Sequence, residues 1–357
     1  MIPFVDLKRQ YSQIKGEIDE GVKEVLESGK YILGKNVDSF EAEFSGYLGK
    51  RYSVGVGNGT EALQMALMAS GVGKGDEVIT VANTAVPTII AILSVGAKPV
   101  FADIDDHFNI DFSKIHVTKK TKAIIPVHLF GQSCDIKPII EMCSSKDLVL
   151  IEDCCQAHGA EYKGRKVPVS SIGCFSFYPT KNLGCYGDGG LIALDDEELA
   201  EKIKLIRNCG HSNDYLHPVK GINSRLDEVQ AAILRVKLKY LDEWNERRRK
   251  IAKLYDRNLA KVITPKESSF AKHVYHLYAV RSKKRDGLRE FLKKNDIFTQ
   301  VHYPMPVYSQ EGYKELEHDK LANTESIMKE ILSLPMFPEL TKEEVDKVIG
   351  KVNEYEG

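Results

Sequence analysis

SIGCFSFYPTKNLGCYGDGG, residues 171–190, is the stretch on which the reading of this chain turns. An apolar, strand-like run from Ile172 to Phe177 breaks at Tyr178-Pro179, presents Thr180 and Lys181, and then dissolves into glycine at 184, 187, 189 and 190. The glycines make the loop close-fitting. Lys181 follows a buried-looking strand and has no acidic neighbour within several residues. An ammonium held in such a pocket has a lowered pKa and can serve as an amine nucleophile or proton carrier. The plain alternative is a strand-end lysine facing water, and the rest of the chain has to discriminate between the two.

Two further strand ends supply the discrimination. LVLIEDCCQAHGA, residues 148–160, places Asp153 at the end of a wholly apolar strand, followed by Gln156 and His158. A carboxylate at the mouth of a buried strand is costly unless it meets a cation or several donors. Asp153 is therefore read either as the partner of a protonated ring nitrogen on a bound cofactor or as a helix cap. His158 is read as a packed, hydrogen-bonded core residue rather than a catalyst. Earlier, the strand Tyr52–Val56 runs into GNGTEALQMALMAS, residues 57–70, a phosphate-cradle candidate. Glycines admit a close backbone, a helix N-terminus offers unpaired N–H groups, and Thr60 can cap the helix and donate a hydroxyl. A capped helix without ligand is the simpler alternative.

Between these points strands and helices alternate. Strands are expected at 77–81, 98–102, 123–127, 148–152 and 191–194, with helices at 88–95, 136–144 and 196–207. Short apolar strands separated by helices imply an α/β fold with a mainly parallel sheet covered on both faces. Ligands in such sheets bind beyond the carboxyl ends of the strands, which collects GNGT, Asp153 and Lys181 on one edge. Amphipathic helices precede the sheet, the first stopping at Gly29. A long helix from Leu226 past Trp244 to Leu259 bridges to a second domain. The division expected is 1–238 for the large domain and 239–357 for the small one. In the latter, strands are expected at 274–280 and 297–301, and helices at 284–294, 324–332 and 341–352, the last opening with the capping box Thr341/Glu344.

Bulk properties narrow the function. The 357 residues carry a formal net charge of −1, which offers no electrostatic reason to expect nucleic acid or a membrane surface as partner. Seven cysteines without a CxxC spacing suit reduced, buried thiols in a cytoplasmic protein better than a disulfide framework or a metal site. No metal is expected. The opening residues lack a signal-peptide pattern, and no apolar run is long enough to span a membrane.

A phosphate cradle, an isolated carboxylate and a desolvated lysine at three strand ends match a pyridoxal 5'-phosphate (PLP) site. The sequence also resembles the nucleotide-sugar aminotransferases of PLP fold type I, the DegT-like group. The resemblance is carried by IPFVDLKRQY (2–11), GKYILGKNVDSFEAEF (29–44), GNGTEAL (57–63), IEDCCQAHGA (151–160), FSFYPTKNLGCYGDGG (175–190), GINSRLDEVQAAIL (221–234) and VHYPMP (301–306). It implies a mainly parallel seven-stranded sheet sandwiched by helices, with a smaller α+β C-terminal domain. It implies that Lys181 forms the Schiff base, that Asp153 partners the pyridine nitrogen, and that Gln156 lies near the ring hydroxyl. Gly59, Thr60, Glu61 and Ser176 are implied as the phosphate site, with Asn223 supplied by the other subunit of a homodimer, and His302 and Tyr303 on the substrate side. Glutamate as donor, pyridoxamine 5'-phosphate as the alternate cofactor form, and a nucleotide-linked 3-keto- or 4-keto-sugar as acceptor follow from the same resemblance. The product would be a deoxyamino sugar of the kind used in lipopolysaccharides or antibiotics.

Two departures stand out. Ala85 occupies a position where many relatives stack an aromatic ring on the cofactor, and Ser224 follows Asn223 where a tyrosine is common. A sugar dehydratase on the same fold would carry histidine in place of Lys181. A dinucleotide oxidoreductase would need GxGxxG after the first strand. A regulatory protein that keeps the fold without catalysis is the non-enzyme alternative.

Overall fold

The computed structural model describes residues 1–212 and 215–356. Helices α1 (Leu7–Ser28) and α2 (Lys35–Leu48) precede strand β1 (Tyr52–Val56), helix α3 (Gly59–Ala69), β2 (Glu77–Val81), α4 (Val86–Ser94), β3 (Lys98–Ala102) and β4 (Thr121–Ile124). After α5 (Ile136–Lys146) come β5 (Val149–Leu150) and β6 (Glu152–Asp153), two halves of one extended run. A small hairpin, β7 (Glu161–Tyr162) and β8 (Arg165–Lys166), leads to β9 (Ile172–Ser176), β10 (Gly190–Leu194) and α6 (Glu197–Arg207). The chain then enters α7 (Glu228–Leu238) and α8 (Leu241–Asn258).

The sheet is built from two four-stranded parts, β1-β10-β9-β6 and β3-β2-β4-β5. They share the run Val149–Asp153, where Ile151 N–H donates to Ile124 O at 3.1 Å and Asp153 N–H to Pro126 O at 2.9 Å, so seven strands form one continuous surface. Only β10 runs antiparallel to its neighbours; the remaining pairings are parallel, as expected for apolar strands joined by helices. One face packs Val54, Ile125 and Ile192 against α3 and α6 through Leu63, Ala66 and Ile203. The opposite face packs Phe175 and Phe177 against Phe40 and Phe44 of α2 and Leu234 of α7. Each of those fully buried phenylalanines contributes about 1.5–3 kcal/mol relative to exposure. The bare N-terminus of α2, which begins after Gly34, is capped from outside: buried Glu228 accepts from the N–H groups of Gly34, Asn36 and Val37 at 2.8–2.9 Å.

The C-terminal part consists of β11 (Ala271–Lys272), β12 (Tyr278–Arg281), α9 (Arg285–Lys294), α10 (Ala322–Glu330), β13 (Ile331–Leu334) and α11 (Lys342–Glu354). Its core gathers Tyr255, Tyr278, Leu332 and Val348, and takes in Ile2 from the start of the chain. The capping box at Thr341 and Glu344 forms as expected.

Four expectations need correction. The long helix from Leu226 is two helices, broken where Tyr240 adopts φ −103° and ψ −8°. The strand expected from Val274 begins at Tyr278, because Tyr275 has φ 46° and the preceding residues wrap onto Phe130-Gly131, with Val274 N–H donating to Gly131 O at 2.9 Å. Residues 297–301 make only single bridges, Ile297 to Ile2 and Gln300 to Ser333, because the segment has a different partner at each end. The helix expected over 324–332 ends at Glu330, where the apolar run Ile331–Leu334 finds Tyr278–Arg281 to pair with.

Candidate active site

The carboxyl ends of β1, β2, β4, β6 and β9 open into a cavity of about 570 Å³, inside the ~300–1,000 Å³ range of small-molecule sites. Gly59, Thr60, Glu61, Asp153, Gln156, Ser176 and Lys181 all line it, so seven of the residues singled out in the sequence meet in one place. A larger cavity of about 820 Å³ lies between α1, α2 and α7 and shares no residue with this one. Two ion pairs line it, Arg235 with Glu43 and Lys239 with Glu17, and Glu20 and Glu24 add further acids. The strand-end cavity gathers residues singled out in the sequence.

Lys181 sits on a tightly folded loop: its N–H donates to Tyr178 O at 2.9 Å, and Cys185 N–H donates to Phe177 O at 2.8 Å. The next residue, Asn182, is 3% exposed and anchors the loop to α8 and the C-terminal part, its amide donating to Asn245 Oδ1 at 2.8 Å and Val274 O at 3.0 Å. Burial lowers the Lys181 pKa, opposed by the neighbouring Cys155 and the Asp153 carboxylate. Three histidines near this ammonium are held neutral chiefly by desolvation: His158 near pKa 3, His302 near 4, and His276 well below its usual value. His158 is packed between Phe175 and Phe177 in the core, as expected, but neither ring nitrogen finds the expected hydrogen-bond partner among the described residues.

Asp153 is 3% exposed and caps no helix. Its Oδ2 accepts from Thr88 Oγ1 and its Oδ1 from Cys155 N–H, at 2.9 and 3.1 Å. Thr88 in turn shares a hydrogen bond of 2.9 Å with Thr84. Sequence reading missed these two threonines, although NTAVPT follows a parallel strand and the same strand-end rule would have found them. Gln156 accepts from Phe130 N–H at 2.9 Å and donates to the Tyr303 hydroxyl at 3.1 Å, bringing Tyr303 to the cavity's border. His302 shares a hydrogen bond of 3.0 Å with Ser333 Oγ. Asn223 lies on the surface, bridged to Asn208, and does not line its own chain's cavity.

The cradle differs in two respects from the sequence reading, in its cap and in Glu61. Asn58, not Thr60, caps α3, its Oδ1 accepting from Glu61 N–H at 2.9 Å. The Glu61 N–H is thereby taken, and Gly59 and Thr60 carry the N–H groups left without helical partners. Ser224, where many relatives carry a tyrosine, bonds within its own chain: its hydroxyl accepts from Gly57 N–H at 2.9 Å and donates to the Glu61 carboxylate. The backbone approach is close enough to require glycine. A Cβ at Gly59 would lie 2.6 Å from Ser176 Cβ and 3.0 Å from Cys155 Sγ, and one at Gly190 would lie 2.3 Å from Asn58 O. Helix N–H groups, a serine hydroxyl, a buried carboxylate and a desolvated amine suit the phosphate, ring nitrogen and aldehyde of PLP. Gly59→Ala should raise the cofactor dissociation constant about 10- to 100-fold, the affinity equivalent of an overpacking cost of ~1–3 kcal/mol. Titration of cofactor into the apoprotein measures this, and an unchanged affinity would place the phosphate elsewhere.

His128, Glu152 and Cys154 form the one group with metal-ligand geometry among the described residues, a grouping not apparent from sequence spacing. Both histidine nitrogens are already engaged: Nδ1 accepts from Cys134 N–H at 3.2 Å and Nε2 meets Glu152 at 2.8 Å. The cluster braces β6 from behind.

Fold and cavity together suit a PLP enzyme of fold type I. Comparison with known proteins narrows this further. The model of the DegT/DnrJ/EryC1/StrS aminotransferase family matches residues 12–353, and the chain belongs to that family, which is PLP-dependent. It is 48% identical to a "pleiotropic regulatory protein" of Geobacillus stearothermophilus, over 99% of this chain and 98% of the relative. It is 45% identical to the dTDP-3-amino-3,6-dideoxy-alpha-D-galactopyranose transaminase of Aneurinibacillus thermoaerophilus, over 99% of both chains. The crystal structure of Streptomyces venezuelae DesV in complex with a ketimine intermediate superposes with a TM-score of 0.97 at 41% identity, covering 99% of this chain and 98% of that one. Among the described residues, no helix is long and apolar enough to cross a membrane.

Proposed function

We propose that this aminotransferase moves an amino group from glutamate to carbon 3 or carbon 4 of a keto-sugar carried on a nucleoside diphosphate. The observation that carries the reading is the convergence of Lys181, Asp153 and the α3 N-terminus on one cavity. The Aneurinibacillus relative, whose name specifies a dTDP-amino-sugar, supports the substrate class. When bound, PLP supplies an aldehyde that accepts the amino group and a ring that withdraws electrons. Lys181 would hold the cofactor through its amine and, with that amine free, would carry a proton to and from the donor's α-carbon. Asp153 keeps the ring nitrogen protonated. Gln156 has one amide hydrogen to spare beyond Tyr303, and directs it at the ring hydroxyl. Ser176 and the N–H groups of Gly59 and Thr60 hold the phosphate, while His302 and Tyr303 face the sugar.

The active unit in this reading is a homodimer, with Asn223 of each chain completing the phosphate site of the other. Its exposure, and the exposed Tyr31 and Ile32 beside the start of α7, fit that arrangement. Mixing Lys181→Ala and Asn223→Ala subunits should restore activity to ~25% of wild type, because half the dimers then hold one intact site of two. Mixtures no more active than their parents would rule out the shared site. We place the domain boundary at 238/239, where α7 ends, and the protein in the cytoplasm, in keeping with its seven unpaired cysteines.

The test is a panel of 3-keto- and 4-keto-sugars on dTDP and UDP, incubated with ¹⁵N-glutamate and read by mass spectrometry. Labelled amino-sugar from at least one acceptor is expected. Tight binding with no product from any acceptor would favour a regulatory role, which the name of the Geobacillus relative suggests and which an intact lysine and carboxylate argue against.

A further inference from the structure

Lys237, on the last turn of α7, is 0% exposed. No carboxylate lies within ion-pair distance of it among the described residues, although burying an ammonium is costly unless it is paired. Desolvation lowers its pKa to about 8, so it still carries its charge near neutrality. A leucine or methionine would fill the same space at no electrostatic cost. The lysine's contacts show what it does instead. Its Nζ donates to Gly184 O at 2.7 Å and lies 4.0 Å from the centre of the Tyr186 ring. Both partners belong to the loop that carries Lys181.

That loop is closely packed. Gly184 is pressed against the turn before Lys181, where a Cβ would come within 2.5 Å of Pro179 O and 2.8 Å of Tyr178 O. Tyr178 O also accepts the Lys181 N–H, so moving Gly184 moves the peptide of Lys181. Helix α7 grips the loop a second time, through Gln230 Oε1, which accepts from Tyr186 N–H at 2.9 Å. The helix itself is tied to α2 by Glu228 at its other end.

We propose that Lys237 is a positioning residue, a buried cation that fixes the Lys181 loop through the Gly184 carbonyl and the Tyr186 ring. The proposal rests on Lys181 as the acting amine, but its primary readout does not. In Lys237→Met holoenzyme, amide hydrogen exchange in residues 178–187 should accelerate about tenfold, with β1 and β10 unchanged. The kcat should fall ~10- to 100-fold with KM within about twofold, since misplacement of a reacting group costs turnover more than binding. The pH titration of the cofactor's visible absorbance should shift, which simple loss of stability would not cause. Lys237→Gln, whose amide is one bond too short for the carbonyl, provides the same test should the methionine variant misfold. Wild-type exchange in 178–187, or acceleration spread evenly over the sheet, would overturn the proposal. Failure of the Lys181 assignment would appear separately, as an active Lys181→Ala enzyme.

Discussion

Lys181→Ala should lower amino-group transfer by about 10⁴-fold or more, because one side chain serves as both covalent ligand and proton carrier. The loss should not come from unfolding. The loop is held by Asn182, by Gly184 and by the Cys185 N–H, none of which depends on the lysine side chain. Cofactor should still bind, since the cradle at Gly59, Thr60 and Ser176 is untouched. The measurement is the half-reaction with glutamate followed in a rapid-mixing spectrophotometer, alongside cofactor content and melting temperature. Because burial lowers the lysine's pKa, the neutral amine forms at lower pH than for an exposed lysine. Capture of free PLP by the apoprotein should therefore rise with pH through an inflection below the ordinary lysine value. A variant that binds cofactor and still exchanges amino groups with glutamate would show that another group does this work.

Asp153→Asn should cost on the order of 10³-fold in kcat, comparable to removing one preorganised electrostatic contact from an active site. The substitution is close to isosteric and changes chiefly the charge. Its oxygen can still accept from Cys155 N–H, and the Thr88 hydroxyl can turn to accept from the new amide, with Thr84 taking up the change. The fold and cofactor content should therefore survive while the ring nitrogen loses its counter-charge. Turnover, melting temperature and cofactor stoichiometry measured together separate these effects. Unchanged kcat would remove Asp153 from the chemistry and leave it a structural acid behind α4.

Much of the large domain was legible because its signals are local. Apolar runs such as Val78–Val81 and Leu148–Ile151, set between helices, specify a mainly parallel sheet, and the strand-end rule then gathers GNGT, Asp153 and Lys181 without further information. The C-terminal part was less legible. Ile331–Leu334 suits a helix or a strand equally well in isolation, and only pairing with Tyr278–Arg281 selects the strand. Capping at α3 was misassigned because Asn58 and Thr60 are both competent caps, and the entry of the chain from β1 decides between them.

The amino-acid order thus determined which lysine, which acid and which glycine turn stand at strand ends, since each is written into a contiguous motif. Tertiary structure alone decided what surrounds them. Thr88 reaches Asp153 across 65 residues, Ser224 reaches Gly57 across 167, and Lys237 reaches Gly184 across 53. These are single hydrogen bonds between elements far apart in the chain. A sequence carries no record of such contacts beyond residue type, because their geometry exists only once sheet and helices have packed.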